Sequence, residues 1–386
     1  MIRLLITGDY SMHNRMQQMR SSDIVTAMSS VVPYVKDADY AITNLESAVF
    51  DGEHEAIVKC GANLHSSSEA IKALKELGFR CVTLANNHFA DYGDDAVEES
   101  LQLLKEYGID YFGAGRNIEE AKQVRLIEIK GKKIAVINCC EHEYTIATDT
   151  KAGCNPLDVV DVSRAIRKAK KEADYTIVIV HGGSEHYALP TPRMQKWYRF
   201  FVEAGADAVI NHHQHCYSGY EMYEGKPIVY GLGNFCFDWN GQRGDAWNKG
   251  YMVQLMLDKD LQIELIPYEQ CDEKVGTYVL TDRKAFEKHI AELNQIISKP
   301  EEVQKQYDAF GEKKREEYLH VFNNPQNRML RRLAKKGLLP KKFAAEVLPK
   351  TIVEDRDKLL TMLSYFQCES HTDVMTEVLK NLKGQL

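Results

Sequence analysis

The sequence predicts an α/β protein, and three observations carry that prediction. The spacing of apolar residues alternates between strand and helix periods over roughly the first 280 positions. Five of the predicted strands end in side chains of metal-ligating type. From about Asp282 the texture changes to helix formers and charge with few β-branched runs, which places a boundary between Tyr278 and Asp282. Residues 1–280 are therefore expected to form the α/β domain, and residues 281–386 a helical C-terminal region.

Taken in order, Leu4-Leu5-Ile6 is a short buried strand that ends at Gly8-Asp9, and the segment from Ala38 to Thr43 delivers Asn44-Leu45-Glu46. Ser66-x-x-Glu69 reads as a capping box opening a helix through Leu77, closed by Gly78. Strand Cys81 to Leu84 runs into Ala85-Asn86-Asn87-His88, and a helix from Asp94 to Tyr107 ends at Gly108 before a short strand at Tyr111-Phe112. Val124 to Asn138 folds as a hairpin around Lys130-Gly131-Lys132. After a helix from Ser163 to Ala173, the apolar strand Tyr175 to Val180 hands over to His181-Gly182-Gly183. Pro192 suits the first turn of a helix reaching Ala204, because its missing N–H costs nothing there. Strand Ala206 to Ile210 then empties into Asn211-His212-His213-Gln214-His215. A hairpin from Tyr220 to Tyr230 and strands near Met252 to Leu257 and Gln262 to Ile266 complete the β-rich part.

Composition excludes several classes. With 386 residues, 44% hydrophobic and 27% charged, the chain is long enough for a full core and is neither fibrous nor low-complexity. A net charge of −7 gives no overall field to hold duplex DNA. The nine cysteines show no C-x-x-C spacing, so no zinc knuckle or thioredoxin-type motif is written, and reduced thiols are expected. MIRLLITGDY lacks the apolar run of a signal peptide or membrane span, so a cytoplasmic location is the expectation. Lys313, Lys314, Arg315, Arg328, Arg331, Arg332, Lys335, Lys336, Lys341 and Lys342 make a locally basic stretch, read first as a solvated helix face.

The chemistry lies at the strand ends: Asp9, Glu46, Asn87-His88, His181 and His213-x-His215. Ligands of α/β sheets bind beyond the carboxyl ends of strands, so these residues are expected to converge on one site. Alone, Asp9 after a glycine reads as a turn residue and Glu46 as a surface charge. Three imidazoles within four residues of a strand exit are uncommon without a ligand, and the shared placement outweighs coincidence. Carboxylate, amide oxygen and imidazole together suit two divalent ions such as Mn²⁺, Fe, Zn²⁺ or Ni²⁺ about 3.5–4 Å apart, and hence hydrolysis.

Six segments carry a resemblance to a known family: Gly8-Asp9; Asn44-Leu45-Glu46; Asn86-Asn87-His88 with Asp91-Tyr92-Gly93; His181-Gly182-Gly183 with Glu185; Asn211 to His215; and Tyr230-Gly231-Leu232-Gly233-Asn234-Phe235. In this order, over about residues 2 to 268, they resemble the poly-gamma-glutamate capsule synthesis protein CapA family, which looks like a branch of the calcineurin-like metallophosphoesterases. The resemblance implies a four-layer αββα sandwich with a dinuclear metal site. It implies Asp9 and His215 on the first ion, Asn87, His181 and His213 on the second, and Glu46 as the bridge. His88 matches the general acid or transition-state stabiliser, with Asp91 orienting it. Asn44, Asn86, Glu185 and His186 are expected on the substrate side. The sequence also departs from the superfamily pattern Asp-x-His, since Tyr10 and Ser11 follow Asp9 and only the more distant His13 offers an imidazole.

Two readings of function follow. The first is a metal-dependent hydrolase of a phosphoester or amide-type bond in capsule, poly-gamma-glutamate or exopolysaccharide biosynthesis, acting on an anionic polymer or a phosphorylated small molecule. The second is a non-catalytic polymer-binding or assembly factor whose helical tail recruits partner enzymes. A nucleic-acid role is disfavoured by the acidic balance and the lack of a groove pattern of interleaved aromatic and basic residues.

Overall fold

Two β-sheets lie face to face between two helical layers. The structure is a computed structural model and describes residues 1–320, 333, 336–338 and 356–383. Of the basic stretch, Arg328, Arg331, Arg332, Lys335, Lys341 and Lys342 lie outside the described residues.

The strands are β1 (Ile2–Ser11), β2 (Tyr40–Leu45), β3 (Ala48–Val49), β4 (His65–Ser66), β5 (Cys81–Thr83), β6 (Asp110–Phe112), β7 (Ala114–Gly115), β8 (Arg125–Ile129), β9 (Lys132–Cys140), β10 (Gly153–Cys154), β11 (Tyr175–His181), β12 (Ala208–His212), β13 (Tyr220–Tyr223), β14 (Lys226–Val229), β15 (Asn234–Phe237), β16 (Lys249–Leu257), β17 (Gln262–Gln270) and β18 (Thr277–Val279). The helices are α1 (Ser21–Ala27), α2 (Val32–Asp37), α3 (Glu69–Leu77), α4 (Gly93–Glu106), α5 (Ile118–Ala121), α6 (Val159–Glu172), α7 (Pro192–Ala204), α8 (Lys284–Ile297), α9 (Pro300–His320), α10 (Arg356–Gln367) and α11 (Glu369–Lys383).

The first sheet has the order β18-β17-β16-β1-β2-β5-β6, with β15 also paired to β1. The second runs β13-β14-β12-β11-β9-β8. Strand alternation explains the layers. Leu4, Ile6 and Ile42 from the first sheet meet Val136, Ile177, Ile179 and Ile210 from the second in one buried cluster. The intervening Leu5 and Ala41, with Val82, face the other way, against Ile24, Ile71, Leu74, Val97 and Leu104 of the helices on that side. On the far side, α6 contributes the buried Val162, Ile166 and Ala169, and α7 contributes Met194, Tyr198 and Phe201. Strands sealed on both faces read as continuous apolar runs, which is how Tyr175 to Val180 reads.

The helix that follows Ser66 begins at Glu69, but the expected capping box does not form. Ser68 is the N-cap residue and makes no side-chain cap. Ser66 belongs to β4, where its hydroxyl accepts from Met12 N and pairs with Ser47, while Glu69 is taken by Ser21 N and Lys72.

Residues 1–58 with 62–304 form one compact unit, and residues 59–61 with 305–386 form a second. Helix α8 belongs to the first because its stripe of Phe286, Ile290, Leu293 and Ile297 is buried, with Phe286 and Ile290 joining the cluster between the sheets. Asn294 of the same helix accepts from Tyr220 N at 2.7 Å. The boundary expected near 280 therefore falls inside the first unit. In the second unit, Tyr318 stacks on Tyr365 at 4.5 Å, and its hydroxyl is hydrogen-bonded with His371 Nδ1. Among the described residues, no helix is long and apolar enough to cross a membrane.

Candidate metal centre

Strand register brings the polar ends together. In the first sheet Asp9 of β1 is paired with Asn44 of β2 on one side and with Asn234 of β15 on the other. In the second, His181 of β11 is paired with His212 of β12. Gly8 permits the close approach beneath Asp9, because a Cβ at that position would collide with the Gly233 carbonyl oxygen.

Asn44 donates to Asp9 Oδ1 at 2.7 Å, while its own oxygen accepts from Thr83 Oγ1 and Asn86 Nδ2 at 3.2 Å each. Asn86 donates in addition to the Leu45 carbonyl and accepts from His88 N. Both asparagines are fully buried. They lie beneath the site rather than on the substrate side expected for them, because their amides are spent on holding the strand ends.

Above this layer the donor atoms converge in two groups. Glu46, His181 and His213 form one, and Asp9, Glu46 and His215 the other, each with ligand atoms within 4.8 Å of one another. Glu46, immediately after β2, is common to both. In the first group His181 Nε2 lies 3.0 Å from Asn87 Oδ1, 3.0 Å from His213 Nδ1 and 3.6 Å from Glu46 Oε1. In the second, His215 places Nε2 3.8 Å from Glu46 Oε1 and Nδ1 3.9 Å from Asp9 Oδ2. Burial lowers the pKa of His181 well below the usual imidazole value and that of His215 to about 4, so both rings keep a lone pair for coordination. Buried carboxylate oxygen, amide oxygen and imidazole nitrogen, with no thiol among them, make a donor set that fits divalent ions of mixed N/O preference.

The loop after β12 is held in unusual backbone conformations. His213 has φ +91° and His215 φ +54°, left-handed values that non-glycine residues adopt at a cost. His212, the last residue of β12, donates Nε2–H to the Thr7 carbonyl at 2.8 Å and so ties the sheets together. Asn211 accepts from the Tyr198 hydroxyl and donates to the carbonyls of Gly182 and Tyr230. Asp9 Oδ2 accepts from His213 N, linking the loop to β1.

His88 donates Nδ1–H to Asp91 Oδ2 at 2.7 Å, and the same oxygen accepts from Leu64 N at 2.8 Å. Glu185 and His186 are exposed, the His186 ring 6.4 Å from that of His215 and 5.9 Å from that of Trp247. His13 stacks on Trp239 at 4.8 Å and belongs to neither donor group.

Three supporting residues escape a reading by residue type. Asn234 Oδ1 accepts the Nδ1 proton of His215. Glu141, just beyond β9, accepts from Gly183 N and is paired with Arg193 Nη2 at 2.6 Å, which braces the turn after His181. The motif ending Gly233-Asn234-Phe235 was the available signal for the first; nothing local marks the other two.

A four-layer αββα sandwich with two donor groups sharing one carboxylate at its strand ends has the layout of a candidate dinuclear metal centre. The chain belongs to the family described as bacterial capsule synthesis protein PGA_cap, whose sequence profile matches residues 3–239. It is 35% identical over 217 residues to the capsule biosynthesis protein CapA of Bacillus anthracis, covering 54% of this chain and 53% of that protein. It is 31% identical over 235 residues to the PGA biosynthesis protein CapA of Bacillus subtilis (strain 168), covering 60% of each. The chain thus spans little more than half the length of these curated relatives. Among solved structures, the 5'-nucleotidase precursor of Thermus thermophilus aligns with a TM-score of 0.41 at 12% identity, covering 77% of this chain and 59% of that one. That likeness has no bearing on chemistry.

Proposed function

We propose that this protein is a metal-dependent hydrolase of a phosphoester or amide-type bond, serving capsule, poly-gamma-glutamate or exopolysaccharide biosynthesis. The observation that carries the reading is the sharing of Glu46 between two buried donor groups. In this reading Asp9, Glu46 and His215 hold one divalent ion, and Glu46, Asn87, His181 and His213 hold the other. Bound there, the ions would neutralise charge on the attacked group and acidify a water. The chain's own residues do the rest. Asn44 fixes Asp9, Asn234 fixes the His215 tautomer, and Asp91 holds His88 through Nδ1, so that in this reading Nε2 serves the leaving group. In this reading Glu185 and His186, exposed near His215, lie on the substrate side. The names of the two Bacillus relatives support the pathway in this reading.

A second reading, a polymer-binding or assembly factor, is favoured by one observation. Ser11 stands two residues after Asp9 where the superfamily pattern has an imidazole, and His13 is stacked elsewhere. The test is transition-metal content of protein purified without chelators, beside His213→Ala, followed by turnover of bis-p-nitrophenyl phosphate and a gamma-glutamyl amide. About two ions per chain, fewer in the variant, with turnover abolished in His88→Ala, is the expected result. Metal without turnover of either substrate class would favour the assembly factor, and no metal after adding Mn²⁺ or Zn²⁺ would overturn the hydrolase.

A further inference from the structure

We infer that Met16, Cys236 and Cys271 form a second metal site, one that takes a soft monovalent cation of the copper(I) type. Cys236 Sγ lies 3.6 Å from Cys271 Sγ and 3.6 Å from Met16 Sδ, and Cys271 Sγ lies 4.0 Å from Met16 Sδ. A triangle with those sides has its centre about 2.2 Å from each sulfur, close to the length of about 2.3 Å typical of a metal–thiolate bond. The three sulfurs are therefore spaced as the corners of a trigonal coordination shell without having to move.

The chemistry of the corners selects the ion. Two thiols and a thioether are soft donors, the set that suits Cu(I). Zinc takes four ligands from thiolate, imidazole and carboxylate, and among the described residues no third His, Cys, Asp or Glu joins Cys236 and Cys271 in a donor group. All three side chains are fully buried, so a bound ion would be shielded from water and from oxidants. Binding replaces two thiol protons by one cation, leaving a single net negative charge near Arg15, whose Nη2 donates to the Cys271 carbonyl at 3.0 Å and to Asp238 Oδ1 at 2.7 Å.

The site is distinct from the centre of oxygen and nitrogen donors yet shares an element with it. Cys236 follows Asn234 by two positions on β15 and is paired with Tyr10, the neighbour of Asp9. Met16 closes the triangle from the single helical turn Asn14–Met16.

The experiment uses the full chain, reduced and anaerobic, in a Cys60→Ser background that removes an exposed thiol. Cu(I) is supplied as its bicinchoninate complex. One equivalent is expected to move to the protein, with a near-ultraviolet thiolate-to-copper absorption that strengthens with pH. Both signals should vanish in Cys236→Ser/Cys271→Ser. Met16→Leu conserves volume and fold, and should weaken retention by about tenfold or more through loss of one of three ligands. The inference is overturned if no copper leaves the chelator, if the double cysteine variant takes up copper with the same absorption, if Zn²⁺ is held by the same residues equally well, or if the two thiols oxidise to a disulfide without taking up copper.

Discussion

His215 donates its Nδ1 proton to the side-chain oxygen of Asn234 across 2.9 Å, while Asn234 Nδ2 reaches the carbonyls of His215 and Trp247. The asparagine is thereby oriented by the backbone, and it in turn fixes which imidazole nitrogen faces Glu46. Asn234→Ala should lower affinity at the Asp9–Glu46–His215 group by about 10- to 100-fold, the usual cost of losing an outer partner of a metal-ligating histidine. Asn234→Asp, which keeps an acceptor, should recover most of it. Competition with a chromophoric chelator checks both, and equal affinity of the alanine variant and the wild type would refute the role.

The His88–Asp91 pair makes a different prediction. His88 is absent from both donor groups, so His88→Ala should leave metal content unchanged while turnover of bis-p-nitrophenyl phosphate falls by about 10²–10⁴-fold. Asp91→Asn weakens the orientation of the ring without removing it and should cost less. Loss of metal in His88→Ala, measured by elemental analysis, would count against a purely chemical role.

Buried, neutral imidazoles also fix a pH dependence for the metal-stripped protein. Burial is the main cause that lowers His215 to about 4, and it also lowers His181 well below the usual imidazole value. Since the unfolded chain takes up protons near 6.5, it binds more protons than the folded chain between that value and about 4. Stability is then complete above about pH 6.5 and is lost as the pH falls toward 4, by up to about 3 kcal/mol for His215 alone. Urea midpoints of metal-stripped protein across this window should fall with acid, and His215→Gln should flatten the slope. A slope unaltered by the substitution would remove His215 as its source.

The residues of the candidate centre were legible in the sequence because position and residue type coincide. Asp9, Glu46, His181, His213 and His215 each stand at a strand exit, and the apolar runs before them identify those exits. Asn44 and Asn86 stand at strand exits too, but whether an amide faces a substrate or the layer beneath depends on hydrogen bonds to Asp9 and Leu45 in neighbouring strands. The same limit hid Asn234, whose role comes from β15 lying beside β1. Met16 and Cys236 are 220 positions apart, so no spacing motif could announce their contact. Helix α8 looked like the start of a tail because its sequence is helical, yet its apolar stripe completes the first unit.

His213 allows a test that separates ligation from folding. Its φ of +91° is a value at which a side chain is strained and glycine is not. An imidazole held there at a cost in backbone energy points to a role that stability alone would not select. In metal-stripped protein His213→Gly should therefore be more stable than His213→Ala by roughly 1 kcal/mol, because both lose the ring but only alanine retains the strain. Added Mn²⁺ or Zn²⁺ should raise the melting temperature of the wild type and do so far less for either variant, since stabilisation by a ligand follows its affinity for the folded state. If the alanine variant is as stable as the glycine one, the strain is not real; if both variants respond to metal like the wild type, His213 is not a ligand.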